Sequence, residues 1–230
     1  MALKKLAEMR ETFFTNITHE FRTPLTIILG LSQVLRKSKN EEVKQYARDI
    51  EIHGNRQLKL VNQLLDISKI KSNANNLKWR NGDITTYISM VVASYNTYAK
   101  NKDITLRMHG DENVVMDFVP DYAHKVIDNL LSNAFKFTHA LGHVDVYVVR
   151  VDNILHIDVN DTGEGMDKET MDNVFKAFYQ GPSDSQNLGT GVGLSLVKHI
   201  MESVHGTISV ESQVGKGTKF HMEIAITNNC

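Results

Sequence analysis

The sequence predicts an α+β protein in which a helical hairpin precedes an α/β sandwich. Residues 3 to about 71 repeat apolar side chains at helical spacing, whereas residues 77 to 230 alternate strand-like and helical runs. The polar stretch at residues 72–76 has no apolar period, which indicates a linker. We therefore expect a first domain over residues 1–72, a linker and entry strand over 73–82, and a second domain over 83–230.

Composition excludes several classes of protein. The 230 residues are 41% hydrophobic, which suffices for a real core, and 26 basic residues nearly cancel 27 acidic ones. No net field therefore favours nucleic acid or an anionic membrane, and no window approaches the roughly 18 apolar residues of a membrane helix. The only cysteine is Cys230, so an intrachain disulfide is excluded. We expect a cytoplasmic segment with no nucleic-acid partner and no membrane contact of its own.

Two apolar stripes define the helical hairpin. The first helix carries its stripe on alternating three- and four-residue steps, with Pro24 in the missing position: Phe14, Ile17, Phe21, Ile28, Leu31 and Leu35. After a polar turn at residues 38–40, the second stripe consists of Val43, Ala47, Ile50, Gly54, Leu58, Val61 and Leu65. A lone hairpin cannot cover both stripes, so we predict that two chains pair into a four-helix bundle. Because the helical pattern is already present at Leu3, we also expect further chain upstream.

The second domain reads as alternating helices and strands. Helices are predicted near residues 84–98, 121–137, 168–174 and 191–204, and strands near 104–108, 114–118, 144–151, 155–159, 207–212 and 219–226. Asp152 and Asn153 form a plausible hairpin turn between two of these strands. Helices and strands mixed in this order predict an α/β sandwich.

His19 is the first candidate reactive residue. It lies two positions after Ile17 and therefore faces away from the helical seam, where a plain surface histidine is the commoner explanation. However, Pro24 follows within the helix at a cost of about 3 kcal/mol, which a loosened turn beside a reactive side chain would explain. Neutral imidazole is a nucleophile, Glu20 could accept its proton, and Thr23, on the same face, could position a water.

The run ITHEFRTPL at residues 17–25 closely resembles the phosphoacceptor box of the HisKA-type dimerisation domain of sensor histidine kinases. The resemblance implies that His19 takes a phosphoryl group and that Glu20 assists as a base. It also implies that Thr23 supports removal of phosphate from a partner regulator.

One face of the helix over residues 121–137 forms a polar shelf. Asn129, Asn133 and Lys136 fall within an arc of about 60° when successive residues advance by ~100°. An ordinary amphipathic helix would also show polar residues to water. Two amides and an ammonium in one line nevertheless suit a metal ion and phosphates, because amide oxygens are hard ligands for Mg²⁺.

Two glycine clusters follow the polar helix. Asp161 opens an Asp-x-Gly-x-Gly turn with Gly163 and Gly165, where glycine permits positive φ and close approach of a flat ligand. Alone this could be an ordinary turn, although an ionised aspartate would accept a hydrogen bond from the adenine amine. The run at residues 189–193, Gly-Thr-Gly-Val-Gly, opens a helix whose free N–H groups favour phosphate. Its spacing is neither a dinucleotide fingerprint nor a P-loop.

The polar stretch at residues 179–188 reads as a mobile lid with its hinge at the second glycine cluster, or as a plain surface loop. In order, the polar helix, the Asp-x-Gly-x-Gly turn, the segment Val174–Phe178 and the second glycine cluster resemble the N, G1, F and G2 boxes of the HATPase_c domain in the GHKL superfamily. The resemblance implies bound ATP and Mg²⁺, with Asn129 and Asn133 as metal ligands, Lys136 at the phosphates and Asp161 at adenine. The full expected nucleotide set is Asn129, Asn133, Lys136, Phe137, Asp161, Gly163, Gly165, Gly189, Thr190, Gly191, Gly193, Leu194 and Thr218.

The resemblance also implies which acceptor is used. In the gyrase, chaperone and mismatch-repair branches of the superfamily, a glutamate that activates water occupies the position of Asn129, and asparagine is no general base. We therefore expect autophosphorylation of His19 by Mg-ATP, then transfer to an aspartate of a response regulator, with regulator phosphatase activity. The expected assembly is a homodimer within the cytosolic portion of a longer membrane-anchored receptor.

Two other functions remain open from the residues. One is a serine or threonine protein kinase of the anti-sigma type with the same nucleotide fold, which leaves the histidine box unexplained. The other is a relay scaffold whose nucleotide site has decayed, against which Asn133, Asp161 and the three glycines of residues 189–193 argue.

Overall fold

The computed structural model describes residues 21–22, 24–72, 77–181 and 189–228. His19, Glu20 and Thr23 lie outside the described residues, as do Phe14, Ile17, residues 73–76 of the expected linker and residues 182–188 of the expected lid. The chain divides into two compact units, one comprising Met1–Asn73 with Gln180–Gly193 and the other Ala74–Tyr179 with Leu194–Cys230.

The first unit contains the predicted helical hairpin. Helix α1 covers residues 24–35, residues 21–22 are also helical, and helix α2 spans Glu41–Ser72. The side chain of Asn40 starts α2 by accepting hydrogen bonds from the N–H groups of Glu42 at 2.8 Å and Val43 at 3.5 Å. This cap satisfies donors that the first turn of a helix cannot pair internally, which fixes where α2 begins.

Three contacts show that α1 and α2 run antiparallel. Arg22 donates to Asn62 Oδ1 at 2.8 Å near one end, and Arg36 pairs with Glu51 at 2.8 Å near the other. Between them Gly54 lies so close to α1 that an added Cβ would sit 2.8 Å from a methyl of Leu29. The small residue allows the two helices to approach closely.

The two predicted stripes differ in burial. Ala47, Gly54 and Leu65 of the α2 stripe are buried and Ile50 is 38% exposed, whereas Phe21 and Leu31 of the α1 stripe are 56% and 60% exposed in the single chain. Helix α2 therefore covers the opposite side of α1, around Leu29 and the buried Ser32. The α1 stripe remains as an apolar face on the hairpin, as expected if a lone hairpin cannot cover both stripes.

The second unit is built on a mixed five-stranded sheet. Its strands are β2 Thr105–Gly110, β4 His143–Val151, β5 Ile154–Asp161, β6 Thr207–Gln213 and β7 Gly217–Ala225. Their order in the sheet is β2-β4-β5-β7-β6; β2 and β4 are parallel, and the other neighbours are antiparallel. Strands β1 Arg80–Asp83 and β3 Val115–Phe118 form a separate antiparallel pair. The two-residue turn at Asp152 and Asn153 joins β4 to β5, as predicted.

Five helices complete the described part of the second unit. They are α3 Ile84–Ser94, α4 Asn96–Asn101, α5 Pro120–Phe137, α6 Lys168–Asn173 and α7 Gly193–Ser203. The single helix expected over residues 84–98 is interrupted at Tyr95, so it forms α3 and α4 instead. Asp83 caps α3 by accepting from the N–H groups of Thr85 at 3.0 Å and Thr86 at 3.2 Å. Pro120 occupies the first turn of α5, where its missing N–H is not needed.

Helices α3, α5 and α7 pack on one face of the sheet and form the core. Fully buried side chains from these helices and from the sheet meet there: Ile88, Leu130, Leu131, Phe135, Leu196, Val144, Val146, Val148, Leu155 and Met222. Alternate residues of the same strands project to the other face, which carries partly exposed polar side chains. The predicted fold class, a helical region followed by an α/β sandwich, is confirmed.

Candidate functional site

The polar face of α5 carries three of the predicted site residues. Asn129 is buried, and its Nδ2 donates to the backbone carbonyl of Lys125 at 2.6 Å. This bond distinguishes the nitrogen of the amide from its oxygen. Asn133 and Lys136 are partly exposed along the same side. The ammonium of Lys136 lies 4.3 Å from the centre of the Phe137 ring, a cation–π contact at the last turn of the helix.

Asp161 ends β5, the central strand of the sheet. Its Oδ1 accepts hydrogen bonds from the N–H groups of Gly163 at 2.8 Å and Thr218 at 3.3 Å. Burial raises the pKa of Asp161 from 3.8 to about 6, and the two N–H donors partly oppose that rise. A buried carboxylate at a strand end, still mostly ionised at neutral pH, is a strong acceptor for a ligand N–H group.

The two glycines of the Asp161 turn have different roles. Gly165 has φ +66, as predicted for a turn that needs a left-handed residue. Gly163 does not adopt positive φ, and its role is close approach: an added Cβ would lie 2.5 Å from the carbonyl oxygen of Phe137. That same carbonyl accepts the N–H of Glu164 at 3.2 Å. The Asp161 turn is therefore packed directly against the end of α5.

Thr218 and an unpredicted serine hold the turn from the other side. Thr218 lies opposite Asp161 in the β5–β7 pairing, and its hydroxyl is 3.0 Å from Ser212 Oγ. Ser212 Oγ also accepts from the N–H of Met166 at 2.8 Å and donates to the carbonyl of Gly217 at 2.8 Å. Sequence reasoning missed Ser212 because a single serine in a strand has no motif around it.

In the second unit, Asp161, Gly163, Gly165 and Thr218 belong to one turn that packs against Phe137, at the end of the helix that carries Asn129, Asn133 and Lys136. Leu194 belongs to the same unit. The second glycine cluster, residues 189–193, groups with the helical hairpin in the first unit. There Thr190 Oγ1 donates to Gln63 Oε1 of α2 at 2.7 Å, and Gly191 has φ +69. Gly189 accepts a hydrogen bond from the Gln180 side chain at 3.0 Å through its carbonyl.

The neighbourhood of the histidine box is partly described. Arg22 and Pro24 flank Thr23, and Arg22 is tied to α2 by its 2.8 Å hydrogen bond to Asn62. The hydroxyl of Thr26 donates to the carbonyl of Arg22 at 2.8 Å. Asn62 is a second residue that sequence reasoning missed, because it lies on the partner helix and is 40 residues away along the chain.

Comparison with known families matches both units. Residues 9–73 match the His Kinase A (phospho-acceptor) domain, and residues 118–228 match the family described as histidine kinase-, DNA gyrase B-, and HSP90-like ATPase. Together they define a phosphoacceptor hairpin joined to an ATP-binding domain. The chain belongs to the sensor histidine kinases, of which it has the catalytic core.

Individual proteins agree with this assignment. Histidine kinase P4 of Formosa agariphila is 33% identical over 97% of this chain and 17% of its own length. The autoinducer 2 sensor kinase/phosphatase LuxQ of Vibrio vulnificus is 32% identical over 96% of this chain and 27% of its own length. The crystal structure of full-length ShkA in complex with AMPPNP superposes with a TM-score of 0.79, at 26% identity, over 95% of this chain and 47% of that one.

The chain spans about a quarter or less of the length of these curated relatives. Among the residues that the structure describes, none of the helices combines the length and apolar character needed to cross a membrane.

Proposed function

We propose that this chain transfers the γ-phosphoryl group of Mg-ATP to His19. The observation that carries the proposal is the Asp161 site. A mostly buried carboxylate is held by the N–H groups of Gly163 and Thr218, beside the polar end of α5. Such a carboxylate, at a turn that contains two glycines, suits an adenine amine because it accepts hydrogen bonds.

The remaining nucleotide contacts follow from the chemistry of each side chain. Asn129 and Asn133 offer amide oxygens, hard ligands that fit Mg²⁺, and Lys136 offers a positive charge to the phosphates. The bond from Asn129 Nδ2 to the Lys125 carbonyl fixes the orientation of the Asn129 amide on the polar face of α5. Phe137, Gly163, Gly165 and Thr218 would surround the base. Gly189, Thr190, Gly191, Gly193 and Leu194 would cover the triphosphate.

His19 is the proposed acceptor, and the family match to a phospho-acceptor domain over residues 9–73 supports it. A ring nitrogen attacks the γ-phosphorus, the bond to the ADP oxygen breaks, and Glu20 receives the ring proton. Position 129 is an asparagine, so the site lacks at that position a base that could activate water. Positioning and charge neutralisation supply most of the catalysis in such a transfer.

The proposed partners are a second copy of this chain and a response regulator. The apolar face of α1, with Phe21, Ile28, Leu31 and Leu35, would form the dimer seam. His19 would then pass its phosphoryl group to a regulator aspartate. Thr23 would support the removal of phosphate from that regulator by water, in keeping with the kinase/phosphatase name of the LuxQ relative. The proposed domains are residues 1–72 and 83–230, joined by 73–82, in the cytosolic portion of a membrane-anchored receptor.

Radiolabelled ATP tests the transfer. After incubation with Mg-ATP, the protein should carry acid-labile, alkali-stable phosphate, and His19→Gln should abolish the label. His53→Gln is the matched control, because His53 is an exposed histidine of α2 and should keep full labelling. Labelling that survives His19→Gln would refute the assignment. If the unaltered chain showed no labelling and bound no nucleotide, the result would favour the scaffold function.

A further inference from the structure

The face of the sheet opposite the core carries a compact group of histidines and carboxylates. His156 and Asp158 project from β5, and Glu223 and His221 lie directly opposite them on β7. Both strands are internal in the sheet, so hydrogen bonds on each side hold their backbones in place. The nucleotide site proposed above lies at the end of β5, five residues from His156, or ~16 Å along the strand.

Three ligand atoms of this group converge. Glu223 Oε1 lies 3.6 Å from His156 Nδ1 and 3.2 Å from His221 Nε2, and all three atoms lie within 4.8 Å of one another. In a tetrahedral zinc site with bonds of about 2.0–2.1 Å, ligand atoms are ~3.3 Å apart. Two of the three separations already match this value, and small side-chain rotations would close the third.

The surrounding side chains orient the ligands as in known metal sites. His221 Nδ1 is 2.5 Å from Asp158 Oδ1 and Nε2 is 3.2 Å from Glu223 Oε1, so with a proton held on Nδ1 a metal ion would replace the proton on Nε2 and bind there. The second oxygen of Asp158 pairs with Lys219 at 2.9 Å. The other oxygen of Glu223 is 3.4 Å from the hydroxyl of Thr207, which leaves Oε1 on the histidine side.

Charge and access also favour a cation. Asp158 and Glu223 each contribute a carboxylate to this group, and Lys219 contributes one ammonium, so the carboxylates outnumber the ammonium groups two to one. The side chains of His156, His221 and Glu223 are all partly exposed, so an ion can enter from solvent. A protonated His221 that donates to both Asp158 and Glu223 would form an ordinary cross-strand ion-pair network, and the cobalt titration below distinguishes that network from a metal site.

We propose that His156, His221 and Glu223 bind a divalent transition-metal ion of the Zn²⁺ class, and that Asp158 positions His221 for it. Two imidazole nitrogens and one carboxylate oxygen match the preference of Zn²⁺, and the fourth position stays open to water. The ion would join β5 to β7 on the exposed face of the sheet. This site is independent of the kinase proposal, because none of its residues belongs to the nucleotide set.

Co²⁺ provides a direct probe, because tetrahedral cobalt has a distinctive visible spectrum. The full chain is titrated with Co²⁺ without nucleotide, with excess Mg²⁺ and with Cys230→Ser to remove a competing thiolate. One equivalent should bind with a tetrahedral spectrum, and Zn²⁺ should displace it. His156→Gln and His221→Gln should each weaken binding at least about tenfold, and Asp158→Asn about 10- to 100-fold.

His109→Gln is the matched control, because His109 lies on the same sheet face and contacts Asp145 instead of the proposed ligands. It should leave cobalt affinity unchanged. Far-UV circular dichroism confirms that each variant is folded, and Asp158→Asn keeps all three ligands in any case. Three results would overturn the site: absence of tetrahedral cobalt in the unaltered chain, equal affinity in His221→Gln, or an equal loss in His109→Gln.

Discussion

Replacing Asp161 by asparagine should make the second unit more stable while removing nucleotide binding. Burial raises the pKa of Asp161 from 3.8 to about 6, so the folded state disfavours the ionised carboxylate. A pKa difference of one between the folded and unfolded states corresponds to ~1.4 kcal/mol, so the ionised group destabilises the folded state by about 3 kcal/mol at pH 7. Asparagine keeps an oxygen for the N–H groups of Gly163 and Thr218 but carries no charge. It cannot offer adenine the same ionised acceptor.

The sign of the pH dependence follows from linkage. Between pH 3.8 and 6 the folded state binds more protons at Asp161 than the unfolded state, so its destabilising effect appears as pH rises through that window. The gain from Asp161→Asn should therefore be about 3 kcal/mol at pH 7 and less than about 1 kcal/mol at pH 4.

Urea unfolding followed by fluorescence suits this test, because Trp79 is the only tryptophan and belongs to the second unit. Asp158→Asn is a control of opposite sign. Burial raises the pKa of Asp158, but the hydrogen bonds from His221 and Lys219 outweigh it and lower the pKa overall. Neutralising that group should destabilise the unit at pH 7. The reasoning would be refuted if Asp161→Asn were destabilising at pH 7, or if its effect did not change with pH.

Three further substitutions test separate contacts. Gly163→Ala places a Cβ against the Phe137 carbonyl and should cost about 1–3 kcal/mol in urea unfolding and weaken nucleotide binding; unchanged values would contradict the packing. Asp83→Ala removes the α3 cap and should cost about 1 kcal/mol by the same measurement, whereas no loss would contradict the capping role. Leu31→Glu should convert the proposed dimer to monomer in sedimentation, while Leu141→Glu, at an exposed turn of the second unit, should not; equal behaviour would refute the seam.

Local patterns were sufficient to predict most elements of the second unit. Alternation along β5 places Leu155, Ile157 and Val159 in the core, so Asp161 is expected at the strand end where the structure has it. The same alternation continues in β7. The break at Tyr95 was not predicted, because the apolar period continues on both sides of it.

Contacts between distant segments could not be predicted in the same way. The sequence predicted two glycines that permit positive φ or close approach, but not that Gly163 is small because the end of α5 lies against it. The bond from Thr190 to Gln63 joins residues 127 positions apart, and no local pattern encodes it. The metal-binding group depends on β5 pairing with β7 in one register. Alternation along each strand predicts which face of the sheet His156 and His221 occupy, but it does not predict that the two residues are neighbours across the strands.

Direct localisation of the phosphoryl group tests the central claim of histidine phosphorylation. The chain is incubated with Mg-ATP, digested under alkaline conditions, and analysed by mass spectrometry of the peptide that contains Thr18, His19 and Thr23. We expect one phosphoryl group on His19, and none when Asp161→Asn is treated in the same way. Phosphate on a serine or threonine, or ATP consumed with only free phosphate released, would contradict transfer to His19.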